Sequence, residues 1–297
     1  MFYLKKFLFC VIFLIFINRV YAMSGIRPDM FAGKWYPSNK EELYDMVNKF
    51  LSQAKLPYIK GKIKAIIVPH AGYMFSGAVA AYAFKAIKGE DFTRVIMIGP
   101  SHRSYFQGIS VNIQEGYKTP FGIVPVDRDF GEKLIKSSPM IGYIPVAHSY
   151  EHCLEVELPF LQTVLKKFKI VPILLGQQDM GTCKELARCL LRLLKKDKEK
   201  TLILASSDLS HYHSYDEAVR LDHVLIDDVK EMDPYKLYKD LVWKRCEACG
   251  KGAILTLLLI ARELGITKSI VLKYANSGDV TGYHMRVVGY MSAVILK

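Results

Sequence analysis

The sequence holds no internal repeat, no low-complexity tract and no long linker rich in proline, glycine and serine. Those absences leave one domain, running from residue 23 to residue 297. A disulfide framework is missing as well. Cysteines occur at 10, 153, 183, 189, 246 and 249. With Cys10 in the leader segment, five irregularly spaced thiols remain, an odd count that speaks for a reducing compartment. Cys183 and Cys189 sit on an amphipathic helix and read as packing residues. Nor is there an Arg-rich or aromatic-basic stripe. The net charge is +12, but basic pairs such as Lys166-Lys167 and Lys195-Lys196 are interleaved with acids along helices. That pattern describes a solvated basic surface, and nucleic acid is not the expected partner.

A comfortable membrane span is also lacking. The apolar run Phe7 to Ile17 is too short for one. It follows Lys5-Lys6 and precedes Val20-Tyr21-Ala22, the layout of a secretory signal peptide over residues 1–22. Its removal would take away Lys5, Lys6 and Arg19 and leave no stable membrane span. The expected location is therefore periplasmic or secreted if this signal is used, and cytoplasmic if translation starts at Met23.

What is present is a recurrent pattern of strand and histidine. Ile66-Ile67-Val68 runs into Pro69-His70-Ala71-Gly72-Tyr73. Val95-Ile96-Met97-Ile98 runs into Gly99-Pro100-Ser101-His102. Leu202-Ile203-Leu204-Ala205 runs into Ser206-Ser207-Asp208-Leu209-Ser210-His211. Short β-branched runs read as buried parallel strands, and open α/β sheets bind ligands just beyond the carboxyl ends of such strands. The alternation continues along the chain and predicts an α/β fold, a central mostly parallel or mixed sheet with helices on both faces. Ser38 is placed to cap a helix over 39–51, with Leu43, Met46, Val47 and Phe50 on its inner face. A helix is expected from Leu154 to Lys167, and 109–113 and 122–126 as a β-excursion at the sheet edge.

His70 and His102 are the leading metal-ligand candidates, because a rigid turn fixes where each imidazole nitrogen points. His211 is a candidate acid/base, with Asp208 placed to steady its ring. Cys249 precedes an apolar helix and lies near Arg245 and Lys251, surroundings that favour thiolate. Cys246-x-x-Cys249 also has the spacing of a redox pair. His148, Glu151 and His152 stand before a helix start, either lining the same mouth or capping the helix. His213, His223 and His284 carry less.

Taken together, Ala32-Gly33-Lys34-Trp35-Tyr36-Pro37, Pro69-His70-Ala71-Gly72-Tyr73, Gly99-Pro100-Ser101-His102, Glu151-His152-Cys153-Leu154-Glu155-Val156-Glu157, Ser206-Ser207-Asp208 with His211, and Ala248-Cys249-Gly250 resemble the Memo family, whose prokaryotic members are called AmmeMemoRadiSam system protein B. The resemblance runs from about Ile26 to the C-terminus. It implies a fold similar to the class III extradiol (LigB-like) dioxygenases, non-haem iron enzymes in which two histidines and a carboxylate hold the metal. Their counterparts here would be His70, His102 and, in place of the carboxylate, Cys249; His211 would match the catalytic histidine. A soft thiolate alters which metal binds and how it handles oxygen. The expectation is an iron- or copper-dependent oxidoreductase with a small-molecule substrate. Its alternatives are a non-catalytic protein that uses the same pocket for a metal or a protein partner, and a thiol hydrolase built on Cys249 and His211.

Overall fold

The computed structural model describes residues 25–297; the signal-peptide segment lies outside them. The main sheet is built around four parallel strands, β2 (Ile63–Val68), β9 (Thr201–Ser206), β3 (Arg94–Pro100) and β8 (Lys169–Leu175), adjacent in that order. Their near-continuous apolar sequence follows from burial on both faces. Successive residues point to opposite faces: Ile67, Ile96, Ile98 and Ile173 enter one core, whereas Ile66, Val68, Val95 and Met97 enter the other. The first core is closed by helices Met180–Leu194, Tyr215–Glu231 and Lys251–Glu263, the second by Lys40–Gln53, Tyr73–Ala86 and Leu158–Val164. The sheet is therefore mixed and covered by helices on both faces, as the sequence pattern predicts.

Antiparallel strands flank the parallel centre. β12 (Val287–Leu296) pairs with β2, and β10 (His211–His213) and β11 (Lys268–Asn276) both pair with β12. At the other side β4 (Ile109–Val111) joins β8 antiparallel, with β7 (Ile141–Gly142) beyond it. Segment 109–113 is thus a sheet-edge element as expected. Segment 122–126 is not: β6 (Gly122–Pro125) pairs with β5 (Gly116–Thr119), and with β1 (Ile26–Arg27) they form a separate three-stranded sheet.

Two helix starts differ from the sequence reading. Asn39, not Ser38, caps Lys40–Gln53, its side chain accepting from the backbone N–H groups of Glu41 and Glu42. The helix expected from Leu154 begins at Leu158, where Pro159 supplies the fixed φ of a first helical turn. The freed segment 151–157 is a buried turn. Among the described residues no helix is long and apolar enough to cross a membrane.

Candidate metal centre

The order β2-β9-β3 decides the site. It sets the turn after β9 between the turns after β2 and β3, so that three loops meet at one end of the sheet. Ser207 N–H donates to Val68 O at 2.9 Å and His70 N–H donates to Asp208 Oδ1 at 2.8 Å, tying the first two loops together. His70 is buried, with 1% of its surface exposed, and its Nδ1 lies 2.8 Å from Ser206 Oγ. That hydroxyl donates its one proton to Cys153 O at 2.7 Å, so Nδ1–H is the donor toward Ser206. The unprotonated Nε2 is left facing Cys249 Sγ at 3.0 Å. Burial, and then the neighbouring imidazoles, push the His70 pKa well below its ordinary value and keep the ring neutral.

His102 is held from the opposite side. Its Nδ1 is 2.9 Å from Glu151 Oε1 and its backbone N–H donates to Glu151 Oε2 at 2.6 Å. Burial works to raise the Glu151 pKa, but the side-chain and backbone hydrogen bonds from His102 outweigh it and hold the carboxyl at about 2. An ionised carboxylate only accepts, which makes His102 Nδ1 the protonated nitrogen and leaves Nε2 with its lone pair. Both imidazoles thus have one nitrogen anchored to an oxygen and the other available, the arrangement that orients metal-binding histidines.

A third imidazole joins them. His152 lies between the rings of Trp35 and His102, with centroids 4.1 and 4.5 Å away. One donor nitrogen from each of His70, His102 and His152 lies within 4.8 Å of the others. From sequence alone, His152 fits either the mouth or a helix cap. The signal lay in its neighbours, since Glu151 binds His102 and so draws residue 152 inward.

Cys249 sits two residues before helix Lys251–Glu263. Its Sγ accepts from Asp208 N–H at 3.3 Å, its backbone N–H donates to Asp208 O, and Gln178 Nε2 donates to its carbonyl at 2.8 Å. The expectation of a readily ionised thiol is overturned for the metal-free protein. Burial, reinforced by the Asp208 carboxyl, pushes the Cys249 pKa far up, and the helix terminus does not compensate. Arg245 is turned away, bonded to Asp240 and stacked over Trp243. Cys246 and Cys249 are both free thiols. Gly250 follows because the chain passes against the β9 turn: a Cβ there would stand 2.7 Å from Ser207 Cβ and collide with Ser206 O. Gly250→Ala is expected to cost about 1–3 kcal/mol, as overpacking does, and to displace Cys249; a lowered urea midpoint together with faster thiol alkylation is the check.

His211 lines the same cleft as His70, His102 and His152, a cavity of about 990 Å³. Its Nδ1 is 2.8 Å from Leu209 O. A carbonyl only accepts, so Nδ1 carries the proton and Nε2 is a base. Asp208 does not steady this ring as expected; its Oδ1 is spent on the backbone of His70, because the turn directs residue 208 toward β2 and residue 211 toward β12. Burial lifts the Asp208 pKa to about 7.

The remaining histidines stay outside. His213 pairs with Glu247, His223 bonds to its own helix, and His284 packs on Tyr215. His148 is buried in a polar network, with Nε2 3.0 Å from Ser110 Oγ and Nδ1 3.3 Å from Tyr117 Oη; Arg27 donates to its carbonyl and pairs with Glu155 at 2.6 Å. Burial, then Arg27, lowers the His148 pKa to about 3. The unfolded chain protonates near 6.5 and the folded one only near 3. Stability is therefore complete above pH 6.5 and declines as pH falls, by up to about 1.4 kcal/mol per pH unit for this residue. In urea titrations at pH 7 and pH 5, the penalty of His148→Gln is expected to be smaller at pH 5.

Comparison with known proteins places the chain among relatives of one family. The family profile described as Memo-like protein matches residues 27–294. A MEMO1 family protein of Nitrosopumilus maritimus is 36% identical over 271 residues, covering 89% of this chain and 98% of that protein. One of Aquifex aeolicus is 38% identical over 272 residues, covering 91% and 99%. Among solved structures, an uncharacterized protein of Escherichia coli K12 shares the fold with a TM-score of 0.53 at 13% identity, covering 79% of this chain and all of that one.

Proposed function

This chain belongs to the Memo family, and we propose that it binds a redox-active metal, iron or copper, on His70, His102 and Cys249 and acts as an oxidoreductase on a small molecule. The observation that supports the reading most is the pairing of available nitrogens with a thiol: His70 Nε2 faces Cys249 Sγ at 3.0 Å, and His70, His102 and His152 each offer a donor nitrogen within 4.8 Å of the others. By their chemistry the proposed donors suit such an ion, while the three donors within 4.8 Å of one another are His70, His102 and His152, and Cys249 contacts His70 alone among these histidines. Neutral imidazole suits iron and copper, and thiolate suits the softer states. Anchoring of His70 by Ser206 and of His102 by Glu151 gives each ring one orientation.

A bound ion would supply Lewis acidity and one-electron chemistry at the floor of the cleft. The chain's own residues supply the rest. The Cys249 S–H donates to His70 Nε2; for this sulfur and nitrogen to hold an ion, that proton would have to leave to solvent, so binding would depend on pH. His211 Nε2 accepts or returns a proton on the substrate side of the cleft. Trp35 packs over His152 and shields one flank from water.

Elemental analysis of anaerobically purified protein tests the reading. The wild type is expected to carry close to one iron or copper per chain, and Cys249→Ser much less. Equal metal in both removes Cys249 from the ligand set. The absence of metal from both, with inactivation by thiol alkylation, favours the hydrolase built on Cys249 and His211.

A further inference from the structure

We propose that the cleft over the histidine cluster is built for an organic oxyanion, recognised by Arg286, Arg103 and Lys34. This rests on the reading of the cleft as a substrate site. All three cations line it. Among the described residues none of them forms a salt bridge or a side-chain hydrogen bond to an acid, whereas the arginines at 27, 94, 188, 220 and 245 all do. Of the acids lining the cleft, Asp208 is committed to the His70 backbone and Glu42 lies in the first turn of helix Lys40–Gln53. The balance inside the cleft is positive, and such a concavity concentrates anions.

Arg286 is placed rather than loose. Its guanidinium lies 5.1 Å from the centroid of the Tyr212 ring, a cation–π contact that restrains the side chain while leaving its N–H fork open. Tyr212 itself has φ +64°, a left-handed conformation unfavourable for an aromatic residue. It falls at the register shift of β10 against β12, directly after His211. Backbone strain of this kind is retained where the surroundings enforce it, and it concentrates at ligand sites. Here it raises an exposed tyrosine beside the proton-handling histidine and seats the arginine on it. Arg103 immediately follows His102, and Trp35 and Tyr290 supply apolar walls. The ligand is thus an oxyanion on an apolar body, its charged end toward Arg286 and its reacting carbon toward His211 and the histidine cluster.

Calorimetric titration of the full chain, metal-free, with benzoate, phenyl phosphate and uncharged benzamide tests this. Either anion is expected to bind at least tenfold more tightly than benzamide. Arg286→Gln should weaken the anion at least tenfold, Arg286→Lys less, and Arg103→Gln measurably. The tighter anion identifies carboxylate or phosphate as the recognised group. Equal binding of anions and benzamide, no binding of any, or an unchanged constant in both Arg286→Gln and Arg103→Gln overturns the proposal. Metal content is measured separately: Arg286→Gln should keep the wild-type stoichiometry. A wild type that takes up no metal removes the metal reading while the metal-free anion titration still decides this one.

Discussion

His70→Ala is expected to leave a folded chain that no longer retains iron or copper. His70 meets Ser206 through one ring nitrogen, Cys249 through the other and Asp208 through its backbone. The alanine variant keeps the backbone bond to Asp208 and the β2–β9 linkage, so the loop persists while the nitrogen is lost. Loss of an outer partner costs metal affinity about 10–100-fold; loss of this ligand should exceed that. Ser206→Ala and Glu151→Gln, which release the anchored nitrogens of His70 and His102, should fall within it. His152→Ala separates two arrangements. If Cys249 completes the centre, this variant loses metal affinity no more than the outer partners do; if His152 is the third donor, it matches His70→Ala. Competition with a chromophoric chelator under anaerobic conditions reads all of them.

His211→Ala should show the opposite profile, with metal kept and turnover lost. The ring is fixed by Leu209 O through Nδ1 and presents a basic Nε2 to the cleft. Burial lowers its pKa below the ordinary imidazole value, so it is neutral and ready to accept a proton at pH 7. Removing a general acid/base typically costs about 10²–10⁴-fold in rate. Oxygen consumption in the presence of a reducing small molecule, measured beside metal content, is the check. If His211→Ala strips the metal as fully as His70→Ala, the residue is a ligand. If no variant alters any turnover, the non-catalytic binding reading gains.

The strand-end histidines were legible because parallel strands of apolar residues are short and self-announcing, and each here is followed by a turn that carries an imidazole. The order β2-β9-β3 was not legible, since crossovers leave no local trace, yet that order brings Ser206 against His70. Glu151 and His152 were half visible: the sequence placed them before a helix but set its start at Leu154, four residues before Leu158, and so missed the buried turn. Asp208 lay on the right loop and was given the wrong partner, because which imidazole a carboxylate meets depends on the neighbouring strand. For Cys249 the helix start and nearby cations in the sequence favour thiolate. Burial outweighs both, and burial of a loop residue is a tertiary property. Arg27, Glu155 and Tyr36, a buried cluster that joins the small sheet to the 151–157 turn, carried no motif beyond the family pattern.

The Cys249–His70 contact joins positions separated by 179 residues, and the Ser206–His70 contact spans 136. Closing loops of that length precedes any reward from the contacts they allow, so topologies of this kind fold slowly. The contacts that seat His70 thus need the whole β2–β9–β3 arrangement. If the proposed ion binds the folded chain and not the unfolded one, it stabilises by mass action, about 2.7 kcal/mol at a hundredfold excess over its dissociation constant. Chelation would accordingly lower the melting temperature without blocking refolding.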